Sequence, residues 1–142
     1  MPYFINPVET AECLLLRHEG NLSVVEALAA CQEVGGWLAA RRWNRLVVDL
    51  TSVQSVPKPM YLLALGQQLI QSLPAGARLA LVVRPHQALH AGMVERVARR
   101  SGTFLAIFEQ AEAAQAWAGS SCNRLKLGAF LREAQQPVHG NC

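Results

Sequence analysis

Short apolar runs rich in β-branched residues alternate along this chain with segments whose apolar residues recur at helical spacing. Three of these runs predict buried strands, at residues 45–50, 78–83 and 103–108. Because a helix-like segment follows each of them, the strands should pair in parallel through right-handed crossovers. Two short strands are also predicted, Tyr3–Ile5 and Glu12–Arg17, with a predicted turn at Asn6–Pro7 between them. The first strand should therefore pair antiparallel at an edge of the sheet.

The first helix has a clear beginning. Ser23 and Glu26 have the spacing of a capping box, and the helix that they begin runs to about Arg42. Its apolar stripe is predicted at Val24, Leu28, Cys31, Gly35 and Leu38. Gly35 and Gly36 weaken this helix, and a close approach to the sheet is the expected compensation.

Three further helices complete the pattern. They are predicted at Met60–Leu73, at a segment marked by Leu89, Met93 and Val97 that stops at Ser101–Gly102, and at Glu112–Trp117. Residues 51–59, which include Pro57 and Pro59, are predicted to be a loop. The predicted order is therefore β-β-α-β-α-β-α-β-α, an α/β domain over residues 1–119 with a C-terminal tail at 120–142.

The tail has a different pattern. A short amphipathic helix is predicted there from four apolar residues at helical spacing, Leu127, Phe130, Leu131 and Ala134. Such a helix either lies back on the domain or serves as a handle for a homodimer or a protein partner.

Length and composition limit the class of protein. The chain has 142 residues, 51% of them hydrophobic and 16% charged, which suits one globular domain and excludes a disordered chain. Its apolar stretches are far shorter than the roughly 20 residues of a membrane span. The N-terminus lacks the pattern of a signal peptide, so we expect a cytoplasmic protein without a transmembrane segment.

Charge and cysteine spacing point away from several partners. The formal net charge is +3, and the arginine pairs lie near predicted helix ends, where cations favour the helix dipole. We therefore expect no nucleic-acid partner.

Cys13 and Cys31 fall in predicted core elements, and His86 and His90 have ligand spacing but no third ligand nearby. Because phosphate-binding and nucleophile motifs are also missing, we predict no metal, no cofactor and no catalytic residue.

Three segments carry a resemblance to a known family. They are the helix entry Gly20–Ser23, the strand end Val48–Leu50 and the closing segment Phe108–Trp117. In this order and spacing, the stretch from about Cys13 to Gly119 resembles STAS domains, the sulfate-transporter and anti-sigma-factor-antagonist group, in their SpoIIAA-like branch. The resemblance implies a mixed sheet of four or five strands with helices on one side. It also implies a non-enzymatic role, either in protein–protein switching or in binding a small anion or lipid.

One departure from that family bears on function. Anti-sigma-factor antagonists carry an Asp-Ser-Ser-Gly run at the start of the second helix, whereas this chain has Pro57–Met60 there. We therefore expect a non-catalytic binding or regulatory module without a phosphoserine switch. The alternative is a small hydrolase or transferase of an unrecognised type, which a nucleophile beside His86 or His90 would favour.

The carboxyl edge of the parallel strands is the predicted site. Ligands bind at this edge in α/β sheets, and hydroxyl groups and cations should gather there. The predicted ligand-binding residues are Ser52, Ser55, Lys58, Arg84 and His86. With Lys58 and Arg84 as its cations, this set suits an anion, and a polar rim without a ligand is the alternative. Asp49, at the end of the central strand, is expected to accept hydrogen bonds from nearby N–H groups.

Overall fold

Five strands pair in their order along the chain in a computed structural model that describes residues 3–119. The strands are β1 Tyr3–Val8, β2 Cys13–Asn21, β3 Arg45–Ser55, β4 Arg78–Val82 and β5 Phe104–Phe108. β1 is antiparallel to β2, and the other neighbouring pairs are parallel. The predicted mixed sheet, with its third strand in the centre, is therefore confirmed.

Helices cover both faces of this sheet. They are α1 Val24–Arg41, α2 Pro59–Gln71, α3 Ala88–Ser101 and α4 Ala111–Gly119. Side chains of α1, α2 and α3 pack in one core with Leu46 and Val48 of β3. Trp117 of α4 packs instead with Val47 and Val82, which point from the opposite face. The helices were expected on one side only, and this is wrong for α4 because the central strands are apolar on both faces and both need cover.

The connection between β1 and β2 differs from the predicted turn. Asn6 and Pro7 lie inside β1, opposite Leu15 and Leu14 of β2. The chain turns instead through a 3₁₀ turn at Glu9–Ala11. Pro7 is tolerated because β1 is an edge strand. A proline there can lack its backbone N–H on the solvent side without removing a hydrogen bond of the sheet.

The ends of β2 and β3 also run further than predicted. Residues 51–55 were expected to be loop, but they continue β3 as far as Ser55. They are held there by the extended end of β2, where Glu19, Gly20 and Asn21 pair with residues of β3 through two register irregularities. Gly20 has φ +68°, a backbone conformation that favours glycine. The extension places the end of β3 beside the site described next.

Candidate ligand-binding site

An apolar cavity of about 90 Å³ lies between the sheet and the three helices on one of its faces. Every element around the cavity contributes to its lining, for example Leu16, Cys31, Val48, Leu69, Leu81 and Ala91. Native cores leave few voids larger than a water molecule. A cavity of this size in a domain of this length is therefore a candidate binding site.

The cavity opens at the carboxyl edge of the parallel strands. Leu22 and Val56, which follow β2 and β3, line it and are only half-buried. His90, in the first turn of α3, is also a half-buried lining residue. The opening thus lies at the edge where α/β sheets bind ligands.

Four exposed apolar side chains lie at the same edge, and we call them the apolar rim: Val25, Met60, Tyr61 and Leu89. They occupy the first turns of α1, α2 and α3. Leu89 is 81% exposed and Met60 is 70% exposed. Large apolar side chains clustered around an apolar opening are typical of a binding surface.

Gln87 ties the loop before α3 to the end of β3. Its Nε2 donates to the carbonyl oxygens of Leu50 at 2.9 Å and Val53 at 3.5 Å. Its Oε1 accepts from the backbone N–H of Arg84 at 2.8 Å. Although this buried amide lines the cavity, its hydrogen-bonding groups are engaged by the protein, so its role is to shape the wall.

His18 is the second buried polar side chain of the lining. It lies in β2 and is only 6% exposed. Its ring contacts the ring of Tyr3, with 5.8 Å between centroids. Burial lowers the pKa of His18 to about 4, so the imidazole is uncharged at neutral pH.

Cys31 places a thiol on the same lining. Burial raises the pKa of this thiol to about 11. At neutral pH it is protonated, and the protonated thiol is a poor nucleophile. Cys31 and Cys13 are buried, free cysteines, as predicted for core positions.

The two predicted ligand-binding serines lie on the extension of β3. Arg17 donates from its guanidinium to Ser52 Oγ at 3.1 Å and pairs with Glu19 at 3.2 Å. The hydroxyl of Ser55 donates to Asn21 Oδ1 at 2.8 Å. Both serine side chains therefore bind residues of β2, which helps to hold the extended ends of the two strands together.

The other predicted site residues lie at the same edge on separate segments. Lys58 is the exposed residue that precedes α2. Arg84 and His86 are exposed and lie at the 3₁₀ turn Pro85–Gln87, which Gln87 ties to β3. Among residues 3–119, no hydrogen bond links these three side chains to Ser52 or Ser55. The structure places the five predicted residues at one edge, and the anion clamp stays a prediction.

The expectation for Asp49 is confirmed. Its Oδ1 accepts from the backbone N–H of Thr51 at 2.9 Å and from the Thr51 hydroxyl at 2.6 Å. Through these two hydrogen bonds the carboxylate stabilises the local backbone conformation within β3.

His86 and His90, although four residues apart, do not share a helix face. α3 begins at Ala88, so His86 lies in the preceding turn and is exposed, while His90 lines the cavity. Within the described range 3–119, no group of three or more His, Cys, Asp or Glu side chains is arranged to hold a metal ion. Cys122, Cys142 and the predicted tail helix lie outside the described residues.

Sequence analysis missed the cavity and its polar lining. One signal was available for His18, because it follows Leu14 and Leu16 at alternate positions and so shares their inward face in a strand. No comparable signal marks Gln87, whose role depends on carbonyl groups that are more than 30 residues away.

Comparison with known proteins adds evidence on the fold. Neither the family models nor the curated proteins include a match to this chain. A solved structure does match: an uncharacterised protein of the DUF3478 family from Shewanella loihica, described as having a SpoIIAA-like fold. The two chains are 15% identical, the TM-score is 0.56, and the match covers 82% of this chain and 91% of the other.

The fold is SpoIIAA-like. This confirms the resemblance drawn from the sequence, and at this level of identity the likeness concerns the fold alone. Nowhere in residues 3–119 does this SpoIIAA-like domain contain a helix with the length and apolar character needed to cross a membrane.

Proposed function

We propose that this chain is a non-catalytic, STAS-like binding module whose ligand is small and largely apolar. The observation that carries the proposal is the apolar cavity, which opens at the carboxyl edge beside the apolar rim. Small-molecule sites are typically apolar concavities with a few placed polar groups, and this cavity has that composition.

The alternative of a small enzyme has less support. In the part of the chain that the structure describes, no hydrogen bond joins His86 or His90 to a serine, threonine or cysteine side chain. Cys31, which shares the cavity with His90, is held in its thiol form by burial. A hydrolase or transferase with a nucleophilic residue needs a base that activates it. The described residues show no such pair.

The start of α2 supports a module without a phosphoserine switch. α2 begins at Pro59, directly after Lys58. Residues 56–63 contain no serine or threonine, so the segment at which the resembling family is phosphorylated on serine offers no serine or threonine hydroxyl.

The proposal includes a cytoplasmic location and no nucleic-acid partner. Arg41, one of the paired arginines, lies over the rings of Trp37 and Trp43 at 4.7 and 5.3 Å from their centroids. It also pairs with Glu9 at 3.5 Å. This arginine is engaged within the protein, which supports a structural role for its charge.

Native mass spectrometry tests the proposed function directly. We expect the purified full chain to carry a co-purified small molecule, or to take up an apolar fluorescent probe that a cavity-blocking variant cannot bind. Ala91→Leu should block the cavity because Ala91 lines it and is buried, and the added carbons would take up much of its volume. Ala88→Leu makes the same change at an exposed position of α3 and should leave probe binding unchanged.

The result decides between occupants. In another outcome, the chain is purified with a bound polypeptide and shows no probe binding that depends on Ala91. That outcome would favour a protein partner at the apolar rim over a small ligand. Equal probe binding by the Ala91→Leu and Ala88→Leu variants would contradict the proposal. Ala91→Leu is expected to cost about 1–3 kcal/mol of stability, so folding is checked by circular dichroism.

The anion clamp can be tested separately. Changing Lys58 and Arg84 together to alanine should abolish any salt-dependent binding of phosphate or sulfate at this edge. It should change the melting temperature little, since both residues are exposed. Isothermal titration calorimetry measures the affinity, and equal affinity in the double variant would show that the two cations form no clamp.

A further inference from the structure

The cavity is lined by a buried imidazole for which the described residues supply no hydrogen-bond partner. Gln87 is engaged in three hydrogen bonds, whereas no hydrogen bond to either ring nitrogen of His18 is found among residues 3–119. Yet His18 is more than nine-tenths buried and lines the cavity. Buried polar side chains nearly always have a partner. The ring nitrogens of His18 are not among the fully buried, unpartnered atoms of the described residues, so they are reached from the cavity, and their partner there is either water or the polar group of a ligand.

The chemistry of the lining restricts the charge of that ligand. Among the described residues, none of those that line the cavity is Asp, Glu, Lys or Arg. The titratable groups facing the cavity besides His18 are Cys31 and His90, and the hydroxyl of Tyr3, whose ring touches His18, donates to Glu33 at 2.6 Å. A carboxylate or phosphate placed here would lose its hydration without gaining a fixed positive charge.

An uncharged imidazole offers one N–H donor and one nitrogen acceptor. A hydroxyl group is also both a donor and an acceptor, and it matches either tautomer of the ring. The low pKa of His18 is consistent with this uncharged form. The apolar walls then suit a short alkyl chain attached to that hydroxyl.

The volume of the cavity limits how much of the ligand can be enclosed. A volume of 90 Å³ is smaller than the about 150 Å³ cavity that holds benzene. The enclosed part is thus a hydroxyl group with a few carbons. The rest of a longer chain would extend through the opening toward the apolar rim.

We propose that the cavity binds an uncharged amphiphile through a hydroxyl group, which exchanges a hydrogen bond with the imidazole of His18. This inference rests on the proposed function and names the class of ligand: a neutral alcohol, as opposed to a fatty carboxylate or a phosphate ester. His18 is then the residue that determines specificity for the polar group.

The test compares three probes by nuclear magnetic resonance titration of the labelled full chain at pH 7. The probes are 1-pentanol, pentanoate and n-pentane. In a cavity without a hydrogen-bond partner, n-pentane would bind more tightly than 1-pentanol, because the alcohol gives up its hydrogen bonds to water. We expect 1-pentanol to bind at least as tightly as n-pentane and at least tenfold more tightly than pentanoate, and to shift the ring-nitrogen signals of His18.

Substitutions of His18 separate hydrogen bonding from packing. His18→Leu should weaken 1-pentanol binding about tenfold and leave n-pentane binding unchanged, so that the preference reverses. His18→Gln restores a donor and an acceptor and should recover part of the preference. Gln67→Leu is the control, because Gln67 is an exposed polar residue of α2 that does not line the cavity.

The outcomes distinguish this inference from the function on which it rests. If n-pentane binds, and the affinities for 1-pentanol and pentanoate are the same in the parent and in the His18 variants, the cavity is a purely apolar site. The hydroxyl inference is then wrong. Equal weakening of 1-pentanol and n-pentane by His18→Leu would also overturn it, because His18 would then act only in packing. If none of the probes binds, the proposed apolar-ligand function fails together with the inference.

Discussion

Burial of the His18 imidazole links the stability of the protein to pH. Its pKa falls from 6.5 in an unfolded chain to about 4 in the fold, so between these values the unfolded state binds more protons. Stability should therefore be fully present above pH 6.5 and be lost as the pH falls toward 4, by about 3 kcal/mol in total. Urea denaturation between pH 4 and 7.5 measures this loss.

The contribution of His18 is isolated by substitution. Acid also protonates carboxylates, so the relevant quantity is the difference between the parent and His18→Leu over the same pH range. We expect this variant to lose less stability than the parent as the pH falls. His86→Leu changes an exposed histidine and should follow the parent. Parallel pH profiles for the parent and His18→Leu would show that the ring is not held in its uncharged form.

At the scale of elements, two adjacent glycines of α1 have different surroundings. A Cβ at Gly35 would lie 3.3 Å from the backbone oxygen of Ser72, which ends α2. A Cβ at Gly36 would meet no atom within 4 Å. The close approach expected from the glycine pair is therefore real at Gly35, but it is made to the end of α2 and not to the sheet.

This difference gives a matched pair of substitutions. Gly36→Ala should raise the free energy of unfolding by about 1 kcal/mol, because alanine favours helix more than glycine does. Gly35→Ala should gain less than half of that or lose stability, since the backbone at Ser72 must move. Chemical denaturation of both variants is the measurement. Equal gains at both positions would show that α1 and the end of α2 do not approach closely.

The face that α1 buries also differs from the prediction. The predicted stripe included Leu28, which is 37% exposed, whereas the smaller Ala27 and Ala30 are buried. Small side chains carry little weight in a hydrophobic pattern, yet they let a helix approach its neighbours closely. The spacing predicted a helix correctly, and the orientation of that helix about its axis depended on what it packs against.

For the whole molecule, α4 is the helix that, among the described residues, packs on the face of the sheet opposite the other three helices. Trp117 is 1% exposed and lies against Phe108, with 5.9 Å between ring centroids. Arg78 of β4 donates to the backbone oxygens of Trp117 and Ala118 at 3.1 and 3.4 Å, which fastens the end of the helix to the sheet. Losing this cover would expose apolar side chains of the central strands to water.

Trp117→Ala should accordingly lower the free energy of unfolding by about 3–5 kcal/mol. Trp117→Phe keeps most of the ring and should cost less. Because the cavity lies on the opposite face, Trp117→Phe should bind an apolar probe as tightly as the parent. A cost below about 1 kcal/mol for Trp117→Ala in thermal or urea unfolding would show that α4 is not an essential layer.

The sequence by itself determined the order of the elements, the parallel pairing of the later strands and the central place of β3. These features follow from local periodicity and from connections long enough for a crossover but short enough to keep neighbours adjacent. Core cysteines and the hydrogen bonds of Asp49 were also predictable, because burial pattern and short-range spacing decide them. At the predicted edge, the sequence indicated where polar residues gather but not which of them already bind one another.

The tertiary structure alone decided the rest. The side taken by α4, the continuation of β3 to Ser55 and the packing of α1 all depend on residues far apart in the chain. So does the cavity, which exists because side chains from three helices and the sheet do not fill the space that they enclose. His18 shares the inward alternation of its leucine neighbours, but only the assembled walls show that no described residue donates a hydrogen bond to its ring nitrogens or accepts one from them. Sequence periodicity shows which way a side chain points, whereas its partners depend on how distant segments pack around it.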